Sequence, residues 1–235
     1  MKLKALGSGS IFVKDNSSSF IIDDKILVDI PNGACKSLMN IGIKPDEITD
    51  VLITHFHADH YFDVPFLLLN KIFNNAQVVN IWCDKTGEEK IYELIKLAFP
   101  NKTDKIYKYF KYNTDRTFKI KDYEVEKIPV EHENGIESNA FILTENDVKV
   151  GFTGDSGMCE GIHILAQKCK YLIIDCAVMV GKKSHIGVNE IQDLARKYPN
   201  CIFYTTHMGD GVRETLIKLN IKNIIPLKDN DEYTF

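Results

Sequence analysis

Residues 54–60 read Thr-His-Phe-His-Ala-Asp-His and are the most informative stretch of this chain. His55 and His57 lie two residues apart, so both can reach one metal ion from an extended or turning backbone, while Asp59 and His60 can serve a second ion. A structural zinc site in a small domain prefers cysteine ligands in a closed shell. Because the segment contains no cysteine, it predicts a catalytic metal site with one position open for water.

The spacing His-x-His-x-Asp-His after a β-like run resembles the signature of the metallo-β-lactamase superfamily. The resemblance covers nearly the whole chain, because four further motifs of that family occur in order. They are centred on Asp29, His132, Asp155 and His207, and each comes at the end of a β-like run. Five motifs in the right order are difficult to attribute to chance.

The resemblance implies a site for two divalent metal ions. The implied ligands are His55, His57 and His132 for the first ion, Asp59, His60 and His207 for the second, and Asp155 as a bridge. Physical chemistry supports the bridge, because an anionic carboxylate reduces the repulsion between two nearby cations. A hydroxide shared by the ions would be the nucleophile. We expect zinc, with manganese or iron as alternatives, since all three accept imidazole and carboxylate ligands.

Two residues are predicted to be catalytic, Asp59 through the metal motif and His185 through its position. His185 precedes a predicted helix, in the region where ribonuclease Z-like proteins carry an extra active-site histidine. It would stabilise charge on a phosphoryl group or protonate the leaving oxygen, or else it is a polar loop residue that caps the helix. Asp29 either orients the histidine segment by hydrogen bonds or caps a loop. Cys159 and His163 are interpreted as structural.

Differences from other branches narrow the expected function. Antibiotic-hydrolysing members of the superfamily carry cysteine or serine in place of Asp155, and flavodiiron members carry glutamate in place of His57. Glyoxalase II and related thioesterases usually present the third-motif histidine as Gly-His-Thr, unlike the context of His132. The chain is more similar to the phosphodiesterase branch, which includes ribonuclease Z and cyclic-nucleotide phosphodiesterases.

We therefore expect a metal-dependent hydrolase, most simply a phosphodiesterase acting on a small or cyclic phosphodiester or an RNA end. Ribonuclease Z members generally carry a long arm that grips transfer RNA, for which 235 residues leave little room. One alternative is a hydrolase of a carboxylic thioester, ester or lactone at the same metal site. Another is a non-catalytic metal-binding or regulatory protein, which the complete ligand set disfavours.

Composition sets broader limits. The 235 residues suit a single hydrolase domain over 1–235, and a homodimer is one expected assembly. The net charge of −4 gives no global reason to expect nucleic-acid or membrane binding. The basic residues of 102–127 are diluted by acidic ones, so they form a solvated face or contact a phosphorylated substrate. The six cysteines form no Cys-x-x-Cys pair and, with no signal-peptide pattern at the amino terminus, predict a cytoplasmic protein with reduced thiols.

The order of the predicted elements indicates an α/β protein, α+β in some schemes. An antiparallel sheet followed by alternating helices and strands occurs twice, which predicts two sheets packed face to face with helices outside. The superfamily resemblance implies the same αββα four-layer sandwich of two mixed sheets. Local predictions include a strand at Ile11–Lys14 after a hairpin turn at Gly7-x-Gly9, and a capping box at Thr86–Glu89. They also include antiparallel strands within 107–128 and a final strand at 224–227.

Overall fold

The computed structural model describes residues 1–235. Its strands are β1 (Lys2–Gly7), β2 (Ser19–Ile22), β3 (Ile26–Val28), β4 (Asp50–Leu52), β5 (Val79–Trp82), β6 (Phe110–Asn113), β7 (Thr117–Ile120), β8 (Tyr123–Val130), β9 (Ser138–Glu145), β10 (Val148–Phe152), β11 (Tyr171–Asp175), β12 (Ile202–Thr206), β13 (Ile224–Pro226) and β14 (Glu232–Thr234). Its α-helices are α1 (Ala34–Asn40), α2 (Ala58–Tyr61), α3 (Val64–Phe73), α4 (Gly87–Ala98), α5 (Thr103–Ile106), α6 (Glu160–Lys168), α7 (Val188–Lys197) and α8 (Val212–Leu219).

The strands form two seven-stranded sheets, in the orders β14-β1-β2-β3-β4-β5-β6 and β13-β12-β11-β10-β9-β8-β7. Both sheets are mixed. In the first sheet, β3 to β6 are parallel and the remaining pairs are antiparallel. In the second sheet, β10 to β13 are parallel, whereas β7 to β10 pair antiparallel. The two halves of the chain therefore repeat one plan, as the element order predicts.

The alternation of side chains along the strands produces the four layers. In β2, Phe20 and Ile22 belong to the apolar layer between the sheets, while Ile21 packs with α1 and α3 on the outer face. In β11, Ile173 faces the other sheet and Leu172 packs with the helices on the outside. Because successive side chains of a strand point to opposite faces, both sheets are buried on both sides. The αββα prediction is confirmed.

The sheets place the polar motifs at one edge. Asp29 follows β3, the histidine segment follows β4, and His132 follows β8. In the second sheet Asp155 follows β10, Asp175 ends β11, and His207 follows β12. The parallel strands of each sheet end at a common edge, where ligands bind in open α/β folds.

The amino-terminal segment departs from its prediction. Residues Ile11–Lys14 form no strand, and β1 pairs directly with β2 across a loop over residues 8–18. Ile11 and Phe12 are exposed, so their apolar pattern reflects neither sheet pairing nor core packing. Gly7 and Gly9 allow this loop to fold closely on itself, because a Cβ at Gly7 would collide with Asn16 and Ser17 and a Cβ at Gly9 would collide with Val13.

The predicted capping box at Thr86–Glu89 is wrong. Thr86 has helical backbone angles and makes no side-chain cap to α4. Its hydroxyl instead donates to Asp84 Oδ1 at 2.7 Å, and its N–H donates to the same oxygen. A carboxylate two residues upstream thus forms a local turn that competes with the cap.

The strand predictions depart from the structure in two further places, although the strand predicted at 224–227 forms as β13. Within residues 107–128, only β7 and β8 are antiparallel neighbours, whereas β6 extends the first sheet in parallel with β5. The last strand is β14 rather than β13, and it pairs antiparallel with β1. Alternation identifies a strand but carries no information about which sheet it joins.

The apolar layer between the sheets is built from residues along nearly the whole chain, the first being Leu3 and the last Leu227. That residues 1–235 form one domain stays a prediction.

All six cysteines are free thiols, and five of them are buried, as expected for packing residues. No helix has the length and apolar character needed to cross a bilayer.

Candidate metal centre

Asp29 and Thr54 fix the backbone of the histidine segment. Asp29 is buried just past β3, where one carboxylate oxygen accepts the Thr54 N–H and the other accepts the Thr54 hydroxyl, each at 2.8 Å. The second oxygen also accepts the His60 Nδ1–H at 2.7 Å. Asp29 adopts a left-handed backbone, with φ of 58°. These contacts favour the orienting role of Asp29 over that of a loop cap.

His55, His57 and His132 form the imidazole cluster. His55 Nε2 lies 3.1 Å from His57 Nδ1, and His132 Nε2 lies 3.0 Å from the same atom. Burial lowers the pKa of His55 well below its ordinary value and also lowers that of His57, and neighbouring imidazoles add to both shifts. His55 and His57 therefore favour the neutral ring, and the candidate ligand atoms of all three histidines lie within 4.8 Å of one another.

Asp59, His60, Asp155 and His207 form the mixed cluster. His207 Nε2 lies 3.3 Å from Asp59 and 3.3 Å from Asp155, and His60 Nε2 lies 3.3 Å from Asp155. Burial opposes charge on His60 and His207, but the carboxylates outweigh it and raise the pKa of both rings. Burial is likewise outweighed at Asp155, where His207 and His60 hold the pKa well below its ordinary value.

Asp155 lies between the two clusters. One oxygen faces His60, and the other lies 3.3 Å from His207 and 4.0 Å from His55. His207, opposite it, adopts a left-handed backbone with φ of 55°. Since Asp155 faces rings of both clusters, its position suits a bridging ligand; its role as a ligand stays a prediction.

The donor set fits divalent metal ions. His55 Nδ1–H donates to the Thr54 hydroxyl at 3.1 Å, and His132 Nδ1–H donates to the Ser184 carbonyl at 2.8 Å. With His60 donating to Asp29, three rings have Nδ1 engaged and Nε2 directed into the site, which is the usual arrangement of metal-binding histidines. His60 Nε2 is buried and accepts no hydrogen bond. A metal ion would satisfy this atom.

A carboxylate that the sequence interpretation missed holds His185. His185 Nδ1–H donates to Asp175 Oδ2 at 2.9 Å, and Asp175 is fully buried at the end of β11. Burial opposes charge on the imidazole, but Asp175 outweighs it and raises the pKa of His185. The available signal was positional: Asp175 ends a buried strand, much as Asp155 and His207 follow theirs. His185 lies at the site, and its catalytic role stays a prediction.

The two clusters open into a cleft of about 580 Å³. His57, Asp59, His132, Asp155, His185 and His207 line it, together with Ser10, Ile11, Phe12, Ala58, Glu133, Ala177, Val178 and Lys182. No residue of 102–127 lines the cleft, and contact of that stretch with a substrate stays a prediction. Cys159 belongs to none of the candidate metal clusters, and His163 pairs with Tyr198 on the outer face of the second sheet.

Comparison with known proteins identifies the family of this chain. A family model described as "Anti-Pycsar protein Apyc1" matches residues 1–225. The chain belongs to this family. A curated relative in it, the Anti-Pycsar protein Apyc1 of Bacillus phage 010DV004, is 24% identical over 239 residues, covering 93% of each chain.

The Apyc1 family member also has relatives named ribonuclease Z. The protein of Thermococcus kodakarensis is 23% identical over 269 residues, which cover 89% of this chain and 85% of that relative. Together with the ligand clusters, these relatives identify the Apyc1 family member as a metal-dependent hydrolase. The ribonuclease Z-like resemblance is confirmed.

Solved structures confirm the metallo-β-lactamase fold. YhfI of Bacillus subtilis aligns with a TM-score of 0.81 at 17% identity, covering 99% of this chain and 98% of YhfI. A diphosphatase of the PhnP family aligns with a TM-score of 0.74 at 18% identity, covering 100% and 97%. The short form of human tRNase Z aligns with a TM-score of 0.73 at 17% identity, covering 100% of this chain and 99% of that protein. At these identities the likeness shows the fold.

Proposed function

We propose that the protein is a phosphodiesterase that hydrolyses a small or cyclic phosphodiester, or an RNA end. The observation that carries the proposal is the buried Asp175 holding His185 at the cleft beside both clusters. Phosphodiester hydrolysis needs compensation of charge on the phosphoryl oxygens and a proton for the leaving alkoxide. His185 is positioned for either task. Relatives named ribonuclease Z, which act on RNA, support this class of reaction.

The residues divide the work as follows. The imidazole cluster and the mixed cluster would each hold one divalent ion, most simply zinc with manganese or iron as alternatives, and Asp155 would contact both. When bound, two such ions supply Lewis acidity and lower the pKa of a water so that hydroxide is available near neutral pH. Asp29 and Thr54 hold His55 and His60 in orientation.

His185 would supply the proton or the positive charge. Asp175 engages Nδ1 and leaves Nε2 free, and the side chain is 21% exposed, so Nε2 can reach a ligand in the cleft. The raised pKa of His185 keeps a larger fraction of the ring protonated near neutral pH. A protonated ring can neutralise the phosphoryl group and then transfer its proton to the departing oxygen. Asp59, at the cleft side of the mixed cluster, would act as a ligand next to the reacting water.

The dimensions of the cleft favour a small substrate. Its volume of about 580 Å³ falls within the range of about 300–1,000 Å³ that is usual for small-molecule sites. A cyclic nucleotide or another cyclic phosphate would fill such a cleft, and an RNA end would enter it as one or two nucleotides. The expected homodimer stays a prediction.

The test is a substrate panel with metal-reconstituted protein. We expect turnover of bis(p-nitrophenyl) phosphate and of a cyclic nucleotide, with little turnover of a lactone or a thioester. Selective turnover of the carbonyl substrates would reject the proposal in favour of the carboxylic-ester, thioester or lactone hydrolase. Parallel reconstitution with zinc, manganese and iron, followed by elemental analysis, gives the ion count and the most active metal.

A further inference from the structure

The loop of residues 8–18 is rigidly attached at both ends. The Ser8 hydroxyl donates to Asp229 Oδ1 at 2.9 Å, and the Asn16 N–H donates to Asp229 Oδ2 at 2.8 Å. Arg213 donates to Asp15 at 2.7 Å and to the Ser8 hydroxyl at 2.9 Å. One acidic and one basic side chain from distant parts of the chain therefore fix the two ends of the loop relative to each other.

The same loop is attached to the segment that carries His207. The Met208 N–H donates to the Ser8 carbonyl at 3.1 Å, and the Ser10 N–H donates to the Met208 carbonyl at 3.2 Å. Met208 directly follows His207 in the mixed cluster. These two hydrogen bonds fix the start of the loop beside the metal centre, so the loop tip has a defined position at the rim of the cleft.

The tip of this anchored loop is apolar. Phe12 is 91% exposed and Ile11 is 53% exposed, and both line the cleft. Neither side chain contributes to the three apolar clusters of the core. Polar residues such as Glu133 and Lys182 also line the cleft. The lining thus combines apolar and aromatic side chains with charged groups and the candidate metal ligands.

We propose that Phe12 is the platform on which the heterocyclic base of a nucleotide stacks while its phosphodiester lies at the metal centre. This inference rests on the proposed phosphodiesterase function and adds to it the side chain that holds the base. A phosphate and a sugar offer little that an exposed phenyl ring can bind, whereas every base has a π-face. Ile11 extends the apolar surface beneath the base, and the anchored loop ends keep the ring in place.

Stacking on Phe12 has a consequence for selectivity. Base–aromatic stacking tolerates any base, because it uses the face of the ring rather than its hydrogen-bonding edge. Phe12 therefore separates nucleotides from phosphodiesters that lack a base, and it contributes little to the choice among bases.

The test compares ligands with and without a base. Calorimetry on the metal-reconstituted protein measures binding of a nucleoside monophosphate and of ribose phosphate. We expect Phe12→Ala to weaken nucleoside monophosphate binding roughly tenfold and to leave ribose phosphate binding unchanged. Phe12→Tyr should restore binding. Phe73→Ala removes a phenyl ring that is 71% exposed on α3 and should change neither affinity, because that ring does not line the cleft.

Hydrolysis provides a second readout. For Phe12→Ala, KM should rise for a cyclic nucleotide and stay constant for the methyl riboside cyclic phosphate, which keeps the sugar and the phosphodiester without the base. Equal changes for both ligands, or none, would overturn the platform. So would a change of oligomeric state, measured by size-exclusion chromatography, that accompanies equal weakening of both ligands. Should the wild type hydrolyse no phosphodiester while its nucleotide binding still needs Phe12, the proposed function fails and the platform stands.

Discussion

The imidazole cluster and the mixed cluster lie side by side but manage charge in opposite ways. The imidazole cluster has three rings and no carboxylate, and the pKa values of His55 and His57 are lowered. The mixed cluster has two carboxylates and two rings whose pKa values are raised. In the metal-free protein, protons can therefore take the place of a cation in the mixed cluster. In the imidazole cluster, His55 and His57 instead favour unprotonated ring nitrogens.

This difference indicates what each half contributes to a dinuclear centre. A cation entering the imidazole cluster displaces few protons from His55 and His57 near neutral pH, and only Asp155, which lies between the clusters, would offer it a carboxylate from the two clusters. A cation entering the mixed cluster displaces protons, and the carboxylates compensate its charge. Asp155 contacts rings of both clusters, so it is the residue through which the two halves depend on each other.

The largest effect is expected from Asp155→Ala. The substitution removes the carboxylate shared by the clusters, so the protein should retain fewer ions than after any single histidine substitution. Activity should fall on the order of a thousandfold or more, because too few ions remain to lower the pKa of the attacking water. Elemental analysis and kcat measure the two effects.

Asp193→Ala is the matched control for Asp155→Ala, since Asp193 lies exposed on α7 and pairs only with Arg196. It should keep both ions and full activity. Retention of two ions by a folded Asp155→Ala protein, as judged by circular dichroism, would show that the clusters bind independently and that Asp155 does not bridge them.

His185→Ala should lower kcat on a phosphodiester about a hundredfold while both ions remain bound. The reason is that His185 borders the clusters but has Nδ1 engaged by Asp175, so its loss removes a proton donor or a positive charge rather than a ligand. The decrease should be smaller for a substrate with a p-nitrophenolate leaving group if His185 protonates the leaving oxygen. It should persist if His185 stabilises charge.

Two companion variants sharpen the His185 result. Lys183→Ala changes the same loop at a side chain that contacts Asn134 and does not line the cleft, so kcat should not change. Asp175→Asn removes the charge that raises the pKa of His185, so the alkaline limb of the pH–rate profile should move to lower pH. Loss of an ion from His185→Ala would instead make this ring an additional ligand of one cluster.

Acidification should separate the two clusters. His60 and His207 have raised pKa values, so each proton that a metal ion displaces weakens binding about tenfold per unit of decreasing pH. The pKa values of His55 and His57 are lowered, so these rings carry few protons for a metal ion to displace. Dialysis from about pH 7.5 to about pH 6, followed by elemental analysis, should remove the ion of the mixed cluster first.

The His132→Ala variant, which damages the imidazole cluster, identifies the ion that is lost. It should lose its remaining ion on the same acidification, whereas Asp59→Ala should keep the ion of the imidazole cluster. Parallel loss of both ions from the wild type would contradict the contrast between the clusters.

The smallest effect is expected from Thr54→Val. Thr54 supports both clusters, because its hydroxyl contacts Asp29 and His55. An isosteric valine leaves both partners buried without that hydrogen bond, at about 1–3 kcal/mol. Thermal denaturation should show a decrease in Tm of about 2–4 °C per kcal/mol for a chain of this size. Thr234→Val, at an exposed position of β14, should leave Tm within error of the wild type.

The sequence predicted the parts of the site that follow from spacing. His55, His57, Asp59 and His60 occur in one segment, and a strand before each distant motif places it at a common edge. The four layers follow from the repeated element order for the same reason. Whether these residues bind metal stays a prediction that the ion count tests.

Other parts depend on contacts between distant segments. Asp175 reads as the end of an ordinary buried strand until the fold brings His185 within 2.9 Å of it. Ile11 and Phe12 have the pattern of a strand, and only the attachment of their loop to Asp229 and Met208 shows them to be exposed at the cleft. Hydrophobic periodicity indicates the type of secondary structure, but it does not indicate which distant segment a side chain will contact.

The left-handed backbone at His207 has a consequence for protein engineering. Most residues other than glycine pay roughly 1 kcal/mol or more to adopt this conformation, and asparagine adopts it more readily than most. A directed-evolution campaign that selects only for heat resistance is therefore expected to favour asparagine or glycine at position 207, and to discard the imidazole in the process. Thermostability libraries for this chain should hold position 207 constant, because a substitution that relieves its backbone would also remove a candidate metal ligand.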